Sequence, residues 1–333
     1  MRQIRRRAPK GQQIVREKSL PAPTGGWDAI SPIAKMPIDR AIVLDNWFPT
    51  PTDVRIRRGF TSFCTGLGTS VVDTLMVYNA VSVSDSKLFG AANHKIYEVG
   101  TGTALDQSVT TTSNRFQYVN FTTPGGHFLW CCNGSDAPST YDTSGGWLTP
   151  SLSVTTFTAA DIINVNAHKK RLWFVFKNST MAGFLPVNSI AGTVSNFELG
   201  TQFTKGGFLV AMGTWTHDSG YGPDDYAVFI SSEGQVAIYK GIDPTDATNW
   251  SLIGVFDQAP PIGYRCFYKL NSDLALISID GVLPLSKAIG QDRGSNQFLA
   301  ITKNINNAMN DAARSWKANF GWQIQPYPKG TYV

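Results

Sequence analysis

One hairpin pattern recurs along this chain at nearly constant spacing, and that recurrence limits the fold more than any other feature. Its clearest copy is KLFGAANHKIYEVG (87–100): a short apolar strand, the polar turn Asn93-His94, then a second strand carrying Tyr97 before a glycine. The positions equivalent to Tyr97 are Tyr141, Phe184, Tyr239 and Leu283, at intervals of 44, 43, 55 and 44 residues. Around them the alternation of apolar and polar residues predicts five units of strands. These are 72–80, 87–92 and 95–100; 115–122, 127–132 and 139–147; 161–167, 171–176 and 181–187; 208–218, 226–232 and 235–241; and 264–270, 274–279 and 282–288. The one long interval falls where HDSGYGPDD (217–225) reads as a turn-rich insertion.

A period of about 40–50 residues with three or four strands per unit is the pattern of β-propeller blades. A single small twisted sheet cannot bury both of its faces, whereas a row of similar sheets packed face to face can. The reading is therefore a mainly β chain, with a β-propeller of repeated three- to four-stranded blades over residues 70–290. No Trp-Asp dipeptide with an upstream Gly-His appears, and no double glycine recurs once per unit. The alternative arrangement for the same strands is a β-sandwich, or a tandem of them.

The flanks read differently. Residues 1–26 are basic and then rich in Pro and Gly, the composition of an extended arm; about 20 extended residues reach roughly 65–70 Å. In the segment 27–69, Pro37 marks the start of a short helix whose apolar side is Ala41, Ile42, Leu44 and Trp47, ended by Pro49 and Pro51. Asp53–Phe60 then alternates as a half-buried strand, with Val54 and Ile56 inward. After the repeats, within 291–319, the stretch Ser295–Asn319 reads as the chain's one long helix, capped by Ser295. Its apolar side would be Phe298, Ile301, Ile305, Ala308, Met309, Ala312 and Trp316, at helical steps. Residues 320–333 begin like the first strand of a further unit.

Charge separates the arm from the body. Residues 1–20 hold seven basic side chains and one acidic one, for +6, while the whole chain is +5. The remainder sums to −1, so the basic character belongs to the arm and net charge gives no support for nucleic-acid binding by the body. MRQIRRRAPKGQQ has no apolar core behind its charged start, so no signal peptide is expected. No apolar run reaches the ~20 residues that cross a bilayer. Cys64, Cys131, Cys132 and Cys266 show no paired spacing and read as reduced thiols of a cytoplasmic chain.

Little in the sequence points to catalysis. There is no nucleophile elbow, P-loop, His-Glu-x-x-His or dinucleotide glycine pattern. GLGTS (66–70) and GTGTA (100–104) are glycine turns with no helix after them. His94, His127 and His168 sit at or beside turns of different units, where exposed turn histidines are expected. His217 and Asp218 with Asp224 and Asp225 lack the alternating spacing of a calcium loop. STYDTSGGW (139–147) has the Asp, Gly and Trp of a sialidase box at the wrong spacing. Tyr97, Tyr141, Trp147, Trp173 and Tyr239 read as packing between blades. No catalytic, cofactor-binding or metal-binding residue is assigned, no cofactor is expected, and the chain reads as a non-enzyme. Trp147 and Trp215 carry the alternative, a carbohydrate-binding or glycan-cleaving propeller used in host attachment.

GGWDAISPIAKMPIDRAIVLDNWFPTPTDVRIRRGF (25–60) resembles the N-terminal segment of tail nozzle (tail tubular or tail-accessory) proteins of short-tailed, podovirus-like bacteriophages and prophages. LDNWFP followed by a strand and Arg-Arg-Gly is its most specific part. DGVLPLSKAI, AITKNINNAMNDAARSW and GWQIQPYP are similar to the same family, in the same order. The resemblance implies a structural virion protein without enzyme activity or cofactor. It implies a ring of copies, usually a hexamer, below the portal and adaptor, with a channel for DNA during ejection. Partners would be other copies, the portal and adaptor, and tail fibre or spike proteins. Localisation would be the virion tail, assembled in the bacterial cytoplasm. Family members continue past GWQ with more strands, so residues 320–333 would open a further β unit. The basic arm would meet acidic surfaces of a neighbour, or DNA.

Overall fold

The structure is a computed structural model that describes residues 19–218 and 223–326; most of the basic arm lies outside them. The chain divides into two compact units, Met1–Arg58 and Gly59–Val333. The second holds the repeats. Sheet I is Val72–Tyr78, Lys87–Ala92, Lys95–Glu98 and Leu105–Thr110. Sheet II is Gln117–Thr123, Gly126–Cys132, Ser139–Asp142 and Gly146–Leu148. Sheet III is Ile162–His168, Arg171–Phe176, Met181–Phe184 and Ser195–Glu198. Sheet IV is Leu209–Asp218, Pro223–Ser231, Gln235–Gly241 and Trp250–Asp257. Sheet V has three strands, Phe267–Leu270, Asp273–Ser278 and Gly281–Pro284. Each is an antiparallel meander with its first strand at one edge.

The strands pack in the way their sequences dictate. RLWFVF (171–176) is apolar throughout because both faces of its sheet are covered. Leu172, Phe174 and Phe176 face the core shared with sheet II, whereas Trp173 and Val175 face the core shared with sheet IV. The adjacent thiols follow the same rule. Cys131 lies in the core between sheets I and II and Cys132 in the core between II and III, on opposite faces of one strand. A further core joins sheets IV and V. Successive sheets abut through their first strands, a β-propeller-like arrangement. Side-chain amides stitch those strands together: Asn120 Nδ2 donates to Val77 O at 2.8 Å, and Asn166 Nδ2 to Met212 O at 2.9 Å.

Several expectations are corrected. Within the turn-rich insertion expected at 217–225, His217, Asp218 and 223–225 are strand, paired as far as Asp218 opposite Pro223, and 219–222 lie outside the described residues. STYDTSGGW makes two strands and a turn. The last strand of sheet V ends at Pro284, and Leu285–Ala288 is a helical turn.

The long helix is broken. Asn296–Leu299 is one turn, Lys303–Ile305 a 3₁₀ turn, and Asn306–Trp316 the helix proper. Between them Ala300 adopts ψ 140° and Ile301 N donates to Val282 O at 2.8 Å. Thr302 Oγ1 accepts from Val282 N at 3.1 Å. Docking on the 281–284 strand therefore replaces helical hydrogen bonds here. It requires Gly281, at φ 111°, where a Cβ would lie 2.4 Å from Thr302 Oγ1. Phe298, Ile301 and Trp316 are consequently exposed, and the helix faces inward through Asn306, Met309 and Ala313. Asp292, rather than Ser295, caps the preceding turn. Residues 320–326 carry no strand, and 327–333 lie outside the described residues.

In the first unit the helix expected from Pro37 is absent. Arg40–Ala41 pairs with Gly26–Trp27, and Trp47–Pro49 pairs with Val54–Ile56. Asn46 stands at φ 62°, which no α-helix admits. Ile56 is exposed, contrary to the inward position expected. The segment is organised by polar groups instead. Asp28 is buried, accepting from Ile30 N, Ser31 N and Arg40 Nη1. The Ser31 amide contributes most to holding its carboxyl well below the usual range, against the opposing effect of burial, with Arg40 adding to it.

Candidate functional site

Arg265, just ahead of the first strand of sheet V, is where the row of sheets meets itself. Its Nη2 donates to Phe116 O at 2.5 Å and to Thr74 Oγ1 at 3.4 Å, and its Nε donates to Gln117 Oε1 at 3.2 Å. Nη1 donates to Gln323 Oε1 at 2.7 Å. Thr74 itself accepts from Phe116 N and donates to Asn114 O, which ties sheet I to sheet II at the same point. Asn164 of sheet III donates to Tyr264 O at 3.0 Å. Sheets I, II, III and V are thus linked around one guanidinium.

Two pockets open at this point, both lined by Gln117, Tyr264 and Arg265. One, of about 370 Å³, continues to Asn166 and Tyr268. The other, of about 440 Å³, lies beneath residues 317–322 and includes Arg115. Burial pulls the Arg265 pKa below the ordinary guanidinium value. No carboxylate pairs with Arg265 among the described residues. Gln117 Nε2 is buried with no hydrogen-bond partner among the described residues.

The sequence-flagged residues lie elsewhere. Asn93 and His94 are both left-handed, at φ 48° and 59°, as a two-residue hairpin turn demands, and His94 is exposed. His127 Nδ1 is 3.3 Å from Thr122 Oγ1 across its hairpin. His168 corrects the expectation of an exposed turn residue: it is 2% exposed, with Nδ1 3.2 Å from Thr214 Oγ1. Burial first, and Lys169 second, depress its pKa to about 4. His217 is in the strand Leu209–Asp218. Asp224 pairs with Lys240 and Asp225 with Lys169. Among the described residues no three His, Cys, Asp or Glu side chains are grouped to hold a metal.

The glycine stretches meet each other: Cys64–Thr65 pairs with Gly102–Thr103. Leu152–Ser153, ahead of sheet III, pairs in the same way with Gly192–Thr193, just before that sheet's last strand. Asp142 Oδ1 accepts from Ser144 N and Gly145 N, a turn-closing role. Tyr97, Tyr141, Trp173 and Tyr239 are buried, and Trp147 packs on Phe89 and Tyr141. Trp215 packs on Tyr226 in the core between sheets IV and V. Burial pushes the Cys131 and Cys266 thiols up to about 12. The sequence reading passed over Arg265; a lone arginine in YRCFYKL carries no local signal.

No family model matches this chain, and no curated protein matches it. Among solved structures, BBS1N in complex with ARL6DN is similar at 11% identity and TM-score 0.43, over 66% of this chain and 64% of that one. The extracellular domain of a putative hybrid two-component system from B. thetaiotaomicron is similar at 15% identity and TM-score 0.43, over 68% and 28%. A putative 6-phosphogluconolactonase from Bacteroides fragilis is similar at 15% identity and TM-score 0.37, over 65% and 65%. The match spans less than two thirds of each of those three chains. Among the described residues, no helix is long and apolar enough to cross a membrane.

Proposed function

We propose that this chain is a structural virion protein, a subunit of a tail nozzle ring of a short-tailed phage, which extends the portal–adaptor channel and lets DNA pass during ejection. The observation that carries the reading is the state of residues 19–58. They bury no apolar side chain; their only buried residues are Asp28 and Thr50. Ile33, Ile38, Val43, Trp47, Phe48 and Ile56 all stand exposed. A segment with local order but no core of its own is a surface for another chain to cover. It is also the segment in which LDNWFP carries the family resemblance.

In this reading sheets I to V are the blades of a five-bladed propeller, a rigid module with four inter-sheet cores in series. Arg265 is hydrogen-bonded to Gln117 and Gln323 where the sheets converge, so in this reading the DNA channel runs between copies and not through one. A body summing to −1 suits a conduit, because each Lys or Arg contact to phosphate adds affinity that would slow passage. Nothing favours the glycan reading, since Trp147 and Trp215 are packed against neighbouring rings. Electron-microscope imaging of the purified protein mixed with a portal–adaptor complex tests the proposal. Rings seated below the adaptor are expected; monomers alone, with the complex present, overturn it.

A further inference from the structure

We propose that the pocket of about 440 Å³ beneath residues 317–322 is a binding site for a small organic oxyanion, a carboxylate or phosphate group carried on a flat apolar body. Arg265 donates its hydrogen bonds to neutral acceptors, which solvate a guanidinium but do not balance its charge. Arg115 and Lys317 line the same pocket, and no Asp or Glu does. Arg115 is ion-paired with Asp73 at 3.9 Å, and that carboxylate lies outside the pocket wall. Two arginines and a lysine thus line one space whose wall holds no carboxylate, and of the two arginines only Arg265 is without an acidic partner among the described residues.

Gln117 points independently to an acceptor. It is 4% exposed, and its Oε1 takes the Arg265 Nε proton, which fixes the orientation of the amide. Nε2 is left as a buried donor with no partner among the described residues. An unpaired buried donor is unfavourable, and an oxygen brought to it would relieve that cost. The rest of the wall suits a flat body. Tyr264, Phe320 and Trp322 line it, and the Phe320 ring lies 5.5 Å from the Arg115 guanidinium and 5.0 Å from that of Arg265. The volume falls within the range of about 300–1,000 Å³ common to small-molecule sites.

The full chain would be titrated with inorganic phosphate and with benzoate at constant ionic strength, following Tm and tryptophan fluorescence. A saturable rise in Tm with either probe is expected; benzoate alone assigns a carboxylate with a ring, and phosphate alone assigns a phosphate head. Gln117→Glu sets a carboxylate beside Arg265 and should abolish the response. Lys317→Ala, at an exposed position, should fold normally and weaken binding about tenfold. No saturable response in the wild-type chain, or the same affinity in Lys317→Ala, overturns the proposal. Retention of the response in a folded Gln117→Glu chain overturns it as well.

Discussion

The guanidinium of Arg265 donates to the backbone carbonyl of Phe116 at 2.5 Å, joining sheet V to sheet II across 149 residues of sequence. Most other contacts between sheets run from one sheet to the next. This one makes the end of the row answer to its beginning. Only a planar group with several donors reaches Thr74, Phe116, Gln117 and Gln323 together.

Arg265→Met should therefore lower stability by about 2–4 kcal/mol, since hydrogen bonds to a charged group contribute roughly 1.5–3 kcal/mol each and neutral acceptors would be orphaned. Arg265→Lys should recover little, because an ammonium cannot span the four acceptors. Urea midpoints at an unchanged m value would measure both. Equal stability of all three proteins would show that the sheets hold together without this strut.

His168 should make stability fall on mild acidification. Its folded pKa is about 4, below the ordinary histidine value near 6.5. Above pH 6.5 both states are neutral and nothing changes. Between 6.5 and 4 only the unfolded chain takes the proton, so stability drops as pH falls, by about 3 kcal/mol in all. His168→Gln should remove that part of the slope. Denaturation curves of both proteins at pH 7, 5.5 and 4.5 decide it, and parallel pH dependences would refute the assignment.

Trp173 stacks on Trp250 with centroids 5.5 Å apart and packs edge-on to Phe229, at the middle of the core between sheets III and IV. Trp173→Ala should cost about 3–5 kcal/mol through the cavity it leaves. Trp316 is 58% exposed, and Trp316→Ala should change stability by no more than about 0.5 kcal/mol. Thermal unfolding of the pair compares a core position with a surface one in the same chain.

Gly281→Ala should free residues 300–302 from the sheet. The new Cβ meets Thr302 Oγ1 and the backbone stands at φ 111°. Hydrogen exchange at the Ile301 and Val282 amides should quicken by at least tenfold, while amides in sheets III and IV keep their protection. Unchanged exchange at Ile301 would mean that the docking does not depend on the glycine.

The strands were legible because their signal is local. A period-2 alternation, or an apolar run such as RLWFVF, is written in consecutive residues, and turn residues such as Asn93 and His94 bracket it. The helix over Ser295–Asn319 was misread because Phe298, Ile301 and Trp316 keep helical spacing while tertiary hydrogen bonds to Val282 override it at 300–302. The helix from Pro37 failed for a related reason: Asn46 takes a left-handed conformation that spacing alone does not reveal. His168 was misplaced because a residue beside a turn can still point into the next sheet.

By itself the sequence determined that a repeated unit of short strands exists, where most of its strands fall, and that alternate side chains would serve opposite faces. The interval between Tyr97 and Tyr141 already carried that information, since one period of chain is one sheet. Only the tertiary structure decided which residues converge. Arg265, Gln117, Thr74 and Asn164 belong to different sheets, and no spacing relates them. They meet because the sheets stack through their first strands and Arg265, ahead of sheet V, reaches back to Thr74 and Gln117, so side chains on those strands must satisfy one another's donors and acceptors. The hairpin repeat is a local property of the chain; the polar centre at Arg265 exists only where residues far apart in sequence are brought together.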